Sequence, residues 1–107
     1  MVEKKDLIIK KLHLFYEIIN KIYPIKKIFL YGSCTHGRNN RHSDIDVGVV
    51  VDVLDHRKRI AITADLFHYA SRIDASIEPK CIFWDEYQNH DRASILAEII
   101  RTGVPIL

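Results

Sequence analysis

Apolar residues recur near the start of the chain at spacings of one, three and four: Leu7, Ile8, Leu12, Phe15, Ile19 and Ile22. That periodicity predicts one amphipathic helix from about Glu3 to Tyr23. Pro24 stops it, because a proline there cannot continue the backbone ladder. The pattern then changes. Lys26 to Tyr31 (KKIFLY) is a short β-branched and aromatic run, and Ile45 to Val51 (IDVGVVV) is a second one rich in valine. Both read as strands. Gly32 to Ser43, between them, is polar and reads as a loop with room for a short helix. A helix over about Leu54 to Arg72 is expected to turn Ile60, Ala64, Phe67 and Ala70 or Ser71 inward. Ala75 to Phe83 (ASIEPKCIF) predicts a third strand. A last helix runs from about Asp91 to Arg101, with Gly103 and Pro105 as its stop signal. Trp84 to His90 stays ambiguous between loop and early helix.

The element order is therefore α-β-(α)-β-α-β-α, an α/β (α+β) fold in which helices cover a sheet. The first two strands are joined by about twelve residues, short for a full crossover helix. That favours antiparallel pairing there and a mixed sheet. The length of 107 residues corresponds to one domain, 1–107.

Composition narrows the classes of function. A hydrophobic share of 48% supplies a real core, and a net charge of +2 gives no strong drive toward nucleic acid or membrane. Nucleic acid is thus not the expected partner. The lysines of the first helix read as its solvated face. Cys34 and Cys81 lack the spacing of a metal knuckle, and the charged start MVEKKDLIIKK has no apolar signal region. No apolar run is long enough to span a bilayer. The expectation is a soluble cytoplasmic protein with reduced thiols.

The informative stretch is Phe29 to Val51, FLYGSCTHGRNNRHSDIDVGVVV. At one end a strand runs into Gly32-Ser33. Glycine lets the chain turn sharply and lets a ligand approach the backbone. The peptide N–H groups that follow can point at a phosphate, and the Ser33 hydroxyl can add a hydrogen bond. No Gly-Lys-Ser/Thr follows, so this is not a Walker loop. At the other end stands Ser43-Asp44-Ile45-Asp46. Residues two apart on a strand share a face. Asp44 and Asp46 should project together while Ile45, Val47, Val49 and Val51 enter the core. Neighbouring carboxylates repel unless a cation lies between them, and such oxygen ligands suit Mg²⁺ or Mn²⁺. Gly48 continues the acidic face without a side chain, leaving space beside the metals.

Gly-Ser, ten residues and Asp-x-Asp, flanked by apolar strands, resemble the signature of the DNA polymerase β-type nucleotidyltransferase superfamily. The short chain is similar to its smallest branch, the MNT-type minimal nucleotidyltransferases, many of which act as antitoxins beside HEPN-family toxins. The resemblance implies two Mg²⁺ ions (Mn²⁺ also suits) held by Asp44, Asp46 and a third carboxylate from the next strand. Glu78 and Asp74 compete for that role, and Glu78, further into the strand, is the choice. The same resemblance implies ATP as donor, bound through Gly32, Ser33, Gly37, Arg38 and Ser43. It further implies a HEPN-family toxin as acceptor, adenylylated on a tyrosine hydroxyl; the oligomeric state stays open between a homo-oligomer and a hetero-complex. The chain departs from the family at Thr35-His36, where alanine and a basic residue are usual. His36 or Arg38 is left to supply that charge. Two other functions stay open: an antitoxin that acts by contact alone, and one subunit of a small-molecule (antibiotic) nucleotidyltransferase.

Overall fold

The computed structural model describes residues 4–31, 45–89 and 94–106. Helix α1 (Lys4–Ile19) leads into strand β1 (Ile25–Tyr31), and β2 (Ile45–Val51) follows. A 3-10 turn (His56–Lys58) opens α2 (Arg59–Ser71). Next come β3 (Ile77–Phe83), the short α3 (Trp84–Gln88), α4 (Ile95–Thr102) and a two-residue strand β4 (Val104–Pro105). Among the described residues no helix is long and apolar enough to cross a membrane.

The sheet is mixed, in the order β3-β2-β1-β4. β1 runs antiparallel to β2, as the short connection implied, and β2 runs parallel to β3. A parallel pair needs a crossover, and α2 supplies it. The two faces of the sheet differ. Ile45, Val47, Val49 and Val51 enter the main core with Ile28, Leu30, Cys81 and Phe83, as alternation predicted for β2. α1 covers this face through Ile8, Leu12, Phe15 and Ile19, and α2 through Ile62, Leu66 and Ala70. On the reverse face, Phe29, Val50 and Ile82 form a smaller cluster under Trp84 and Tyr87 of α3 and Leu96 and Ile100 of α4.

Two expectations about helix faces are corrected. Ile60, Ala64 and Phe67 do not turn inward: Ile60 is 84% exposed and Phe67 43%. α2 carries two stripes of helical period, and Ile62-Leu66-Ala70 is the one that the sheet buries. On α1, Leu7 stays exposed, and Ile22 lies beyond the helix end and is exposed as well. α4 begins with the Ser94 hydroxyl accepting from the Ala97 N–H, a cap that the sequence reading did not identify. It ends before Gly103, as expected.

β3 forms one edge of the sheet, and part of its outward backbone is engaged. Pro79 has no N–H to offer, Arg59 Nη1 donates to the Cys81 carbonyl, and the Phe83 N–H donates to Glu86. These features disfavour strand addition at this edge.

Polar ties hold the helices over the main core. Lys11 Nζ of α1 meets the Asp74 carboxylate at 2.7 Å, and the Tyr23 hydroxyl donates to Asp65 of α2. That hydrogen bond, aided by desolvation, pushes the Tyr23 hydroxyl up from 10.0 to about 12. The folded value lies above the unfolded one. The stabilisation is therefore complete below about pH 10 and fades as pH rises through about 12. Tyr23→Phe is expected to lower unfolding free energy by about 1 kcal/mol at neutral pH. Urea melts across pH should show the two proteins converging toward about pH 12.

Candidate active site

Strand register builds the site. Tyr31, the last residue of β1, pairs with Asp46, the second residue of β2. Asp46 in turn pairs with Glu78, the second residue of β3. Paired residues share a face, so Tyr31, Asp46 and Glu78 form one row across three strands, with neighbouring strands ~4.8 Å apart. Phe29, Gly48 and Lys80 make the next row of that face, and Val50 and Ile82 follow. The reverse face is thus polar at one end and apolar at the other. Helices α3 and α4 seat on the apolar end and leave the carboxylate row uncovered. Asp46 and Tyr31 are half-buried, and Glu78 is exposed.

The Tyr31 hydroxyl registers both carboxylates. Burial raises its pKa, and the charges of Asp46 and Glu78 raise it further. Gly48 keeps the second row open. A Cβ there would meet Ile82 Cδ1 at 3.2 Å, Phe29 Cδ2 at 3.6 Å and Tyr31 Cε1 at 3.8 Å.

An open groove of about 420 Å³ contains the row. Tyr31, Asp46, Glu78 and Lys80 line it from the sheet, and Arg59, Thr63 and Phe67 from α2. The three α2 residues stand four apart, one helical stripe. Arg59 is locked in position. It donates to Glu86 and the Cys81 carbonyl and lies 4.5 Å above the Phe83 ring. Among the described residues the groove therefore combines two carboxylates, two cations and two aromatic rings.

Asp74, the competitor of Glu78, precedes β3 and does not share its alternation. Its carboxylate accepts from Lys11 Nζ and from the Ser76 N–H at 2.9 Å. Lys11 and that N–H hold it below the usual carboxylate range. Asp74 thus ties the turn before β3 to α1.

Asp44, Gly32, Ser33, Gly37, Arg38 and Ser43 lie outside the described residues, as do His36 and His42. Of the predicted site, Asp46 and Glu78 are brought together. Carboxylates at strand spacing are hard oxygen donors that fit Mg²⁺ or Mn²⁺. Among the described residues no three such side chains converge. The sequence reading missed Tyr31, Arg59, Thr63, Phe67 and Lys80. Tyr31 was accessible to it, since it adjoins Gly32 and ends the strand. Lys80 stands two residues after Glu78 in the same strand, so alternation places it on the same face.

A four-stranded mixed sheet with helices on both faces is consistent with the nucleotidyltransferase fold. The family described as polymerase beta nucleotidyltransferase matches residues 14–107, and the chain belongs to it. Two solved structures share the fold at low identity. A toxin–antitoxin crystal structure with AMP-PNP is 22% identical with a TM-score of 0.58, over 92% of this chain and 72% of that one. A mutant form of the toxin–antitoxin MntA-HpeT is 21% identical with a TM-score of 0.52, over 98% of this chain and 73% of that one. No protein of curated function matches the sequence.

Only side-chain ends crowd Gly48, so its substitutions should divide by size. Gly48→Ala should fold with a stability within about 1 kcal/mol of the parent as the Ile82 methyl gives way. Gly48→Leu should cost about 1–3 kcal/mol by overpacking against Phe29 and Tyr31. Urea unfolding of the two variants checks the contrast.

Proposed function

We propose that this chain transfers AMP from ATP to a hydroxyl of a partner protein, and that it is the antitoxin of a pair whose HEPN-family toxin is thereby silenced. The observation that carries the reading is the register of Asp46 against Glu78 in a groove open to solvent. Membership of a nucleotidyltransferase family supports the reaction class. The fold shared with a toxin–antitoxin structure containing AMP-PNP supports the donor and the setting.

In this reaction the acceptor oxygen attacks the α-phosphorus, the new P–O bond forms, and the bond to the β-phosphate oxygen breaks to release pyrophosphate. Asp44, Asp46 and Glu78 would hold two divalent ions. When bound, these supply charge neutralisation at the triphosphate and lower the pKa of the attacking hydroxyl. Glu78, the more exposed carboxylate, accepts the hydroxyl proton. Asp46, half-buried and backed by the valines of β2, is the rigid partner. Gly32, Ser33, Gly37, Arg38 and Ser43 grip the triphosphate. Lys80 and Arg59 add positive charge along the groove wall. Positioning and electrostatics thus carry the rate, without a covalent enzyme intermediate.

Thr35-His36, where the family usually has alanine and a basic residue, favours one other reading: an antitoxin that acts by contact alone. Incubation of toxin and antitoxin with Mg²⁺ and α-labelled ATP separates the two. Label should appear on the toxin, and Asp46→Asn or Glu78→Gln should reduce its rate roughly a thousandfold. Asp74→Asn should instead lower thermal stability and leave labelling intact. An unlabelled toxin that is still neutralised by the parent protein would leave the contact-only reading.

A further inference from the structure

The outward face of α2 is unlike that of an ordinary surface helix. Ile60, Ala61, Ala64, Phe67, His68 and Ser71 all face solvent, and none carries a fixed charge. Asp65 lies to one side, bonded to Tyr23, and Arg59 lies to the other, bonded to Glu86. The exposed leucines of α1 differ, because Lys10 and Glu17 stand among them. A stretch of solvent-facing helix without charges is the surface that interfaces favour. Ala61 and Ala64 are small residues between Ile60 and Phe67, which suits the close approach of another helix.

The location of this face identifies its occupant. Phe67 belongs both to it and to the wall of the groove that contains Asp46 and Glu78. Whatever covers Phe67 stands at the groove mouth. We infer that the uncharged face of α2 docks the acceptor protein, through one of that protein's helices, and so delivers its hydroxyl to the carboxylate row. This rests on the reading that the groove modifies a protein. A second copy of the chain fits less well. α2 has 13 residues and is about 20 Å long, so the strip offers a few hundred Å² per partner. Twofold pairing through it alone falls short of the roughly 1,000 Å² of a specific interface and would cover the groove. An acceptor that also enters the groove makes up the deficit. Strand addition fits less well, because Pro79 offers no N–H and Arg59 and Glu86 engage the Cys81 carbonyl and the Phe83 N–H of the β3 edge.

The test uses the full chain and, as probe, the HEPN-family toxin from the same genome. Ile60→Asp and Ala64→Asp alter exposed positions away from the groove, so both should melt and bind Mg²⁺–ATP like the parent. Each should raise the toxin concentration for half-maximal labelling at least about tenfold, while the rate at saturating toxin is unchanged. Unaltered toxin affinity in both variants would overturn the inference. So would a parent dimer, seen by light scattering, that Ile60→Asp converts to monomer. A parent that neither binds nor labels the toxin removes the inference and the reading beneath it together. A parent that binds without labelling, and loses binding on Ile60→Asp, keeps the docking face and removes only the transfer.

Discussion

The register of β1, β2 and β3 is the constraint on which the rest depends. Asp46 stands opposite Tyr31 on one side and Glu78 on the other only because β2 is fixed in register against both neighbours. Side chains alternate with a period of two, so slipping β2 by one residue would carry its acidic residue into the core and turn its inward valines onto the reverse face. Val47, Val49 and Val51 are fully buried among α1 and α2, which makes that slip prohibitively costly. The hydrophobic half of β2 thus sets the geometry of its acidic half. The chemistry of the groove is a consequence of how the opposite face packs.

The reverse face shows how one sheet surface serves two purposes. At one end Phe29, Val50 and Ile82 accept α3 and α4. At the other, α3 and α4 stop short of the row of Tyr31, Asp46 and Glu78, and Gly48 between the two ends adds no side chain. Arg59 joins these parts. It donates to the Cys81 carbonyl of β3, engages Glu86 of α3 and lines the groove, so the base of α2 is fixed relative to the carboxylates. A helix held in this way can present its outward stripe at a constant distance from the site.

Much of this was legible in the sequence, for physical reasons that differ by element. Alternation made β2 readable residue by residue, since its inward positions are all β-branched aliphatics. The short β1–β2 connection announced antiparallel pairing. Glu78 against Asp74 was harder, because alternation indicates a face but not where a strand begins, and β3 begins at Ile77. α2 was misread because two apolar stripes share its period, and only the tertiary fold decides which one the sheet buries. β4 is two residues long and exists by pairing with β1, which leaves no local pattern. Arg59 and Thr63 joined the site through the placement of α2, which neither composition nor spacing reveals. Gly32, Ser33 and Asp44 lie outside the described residues, so their contribution stays an expectation from the motif.

The central claim is that facing carboxylates on adjacent strands form a divalent-ion site for a nucleotide. Calorimetric titration of a non-hydrolysable ATP analogue into the protein, with Mg²⁺ and with chelator, addresses it without any acceptor. The account predicts saturable binding that requires the metal and disappears when Asp46 and Glu78 are both made amides. Equal binding with and without Mg²⁺, or binding that survives the double replacement, would contradict it.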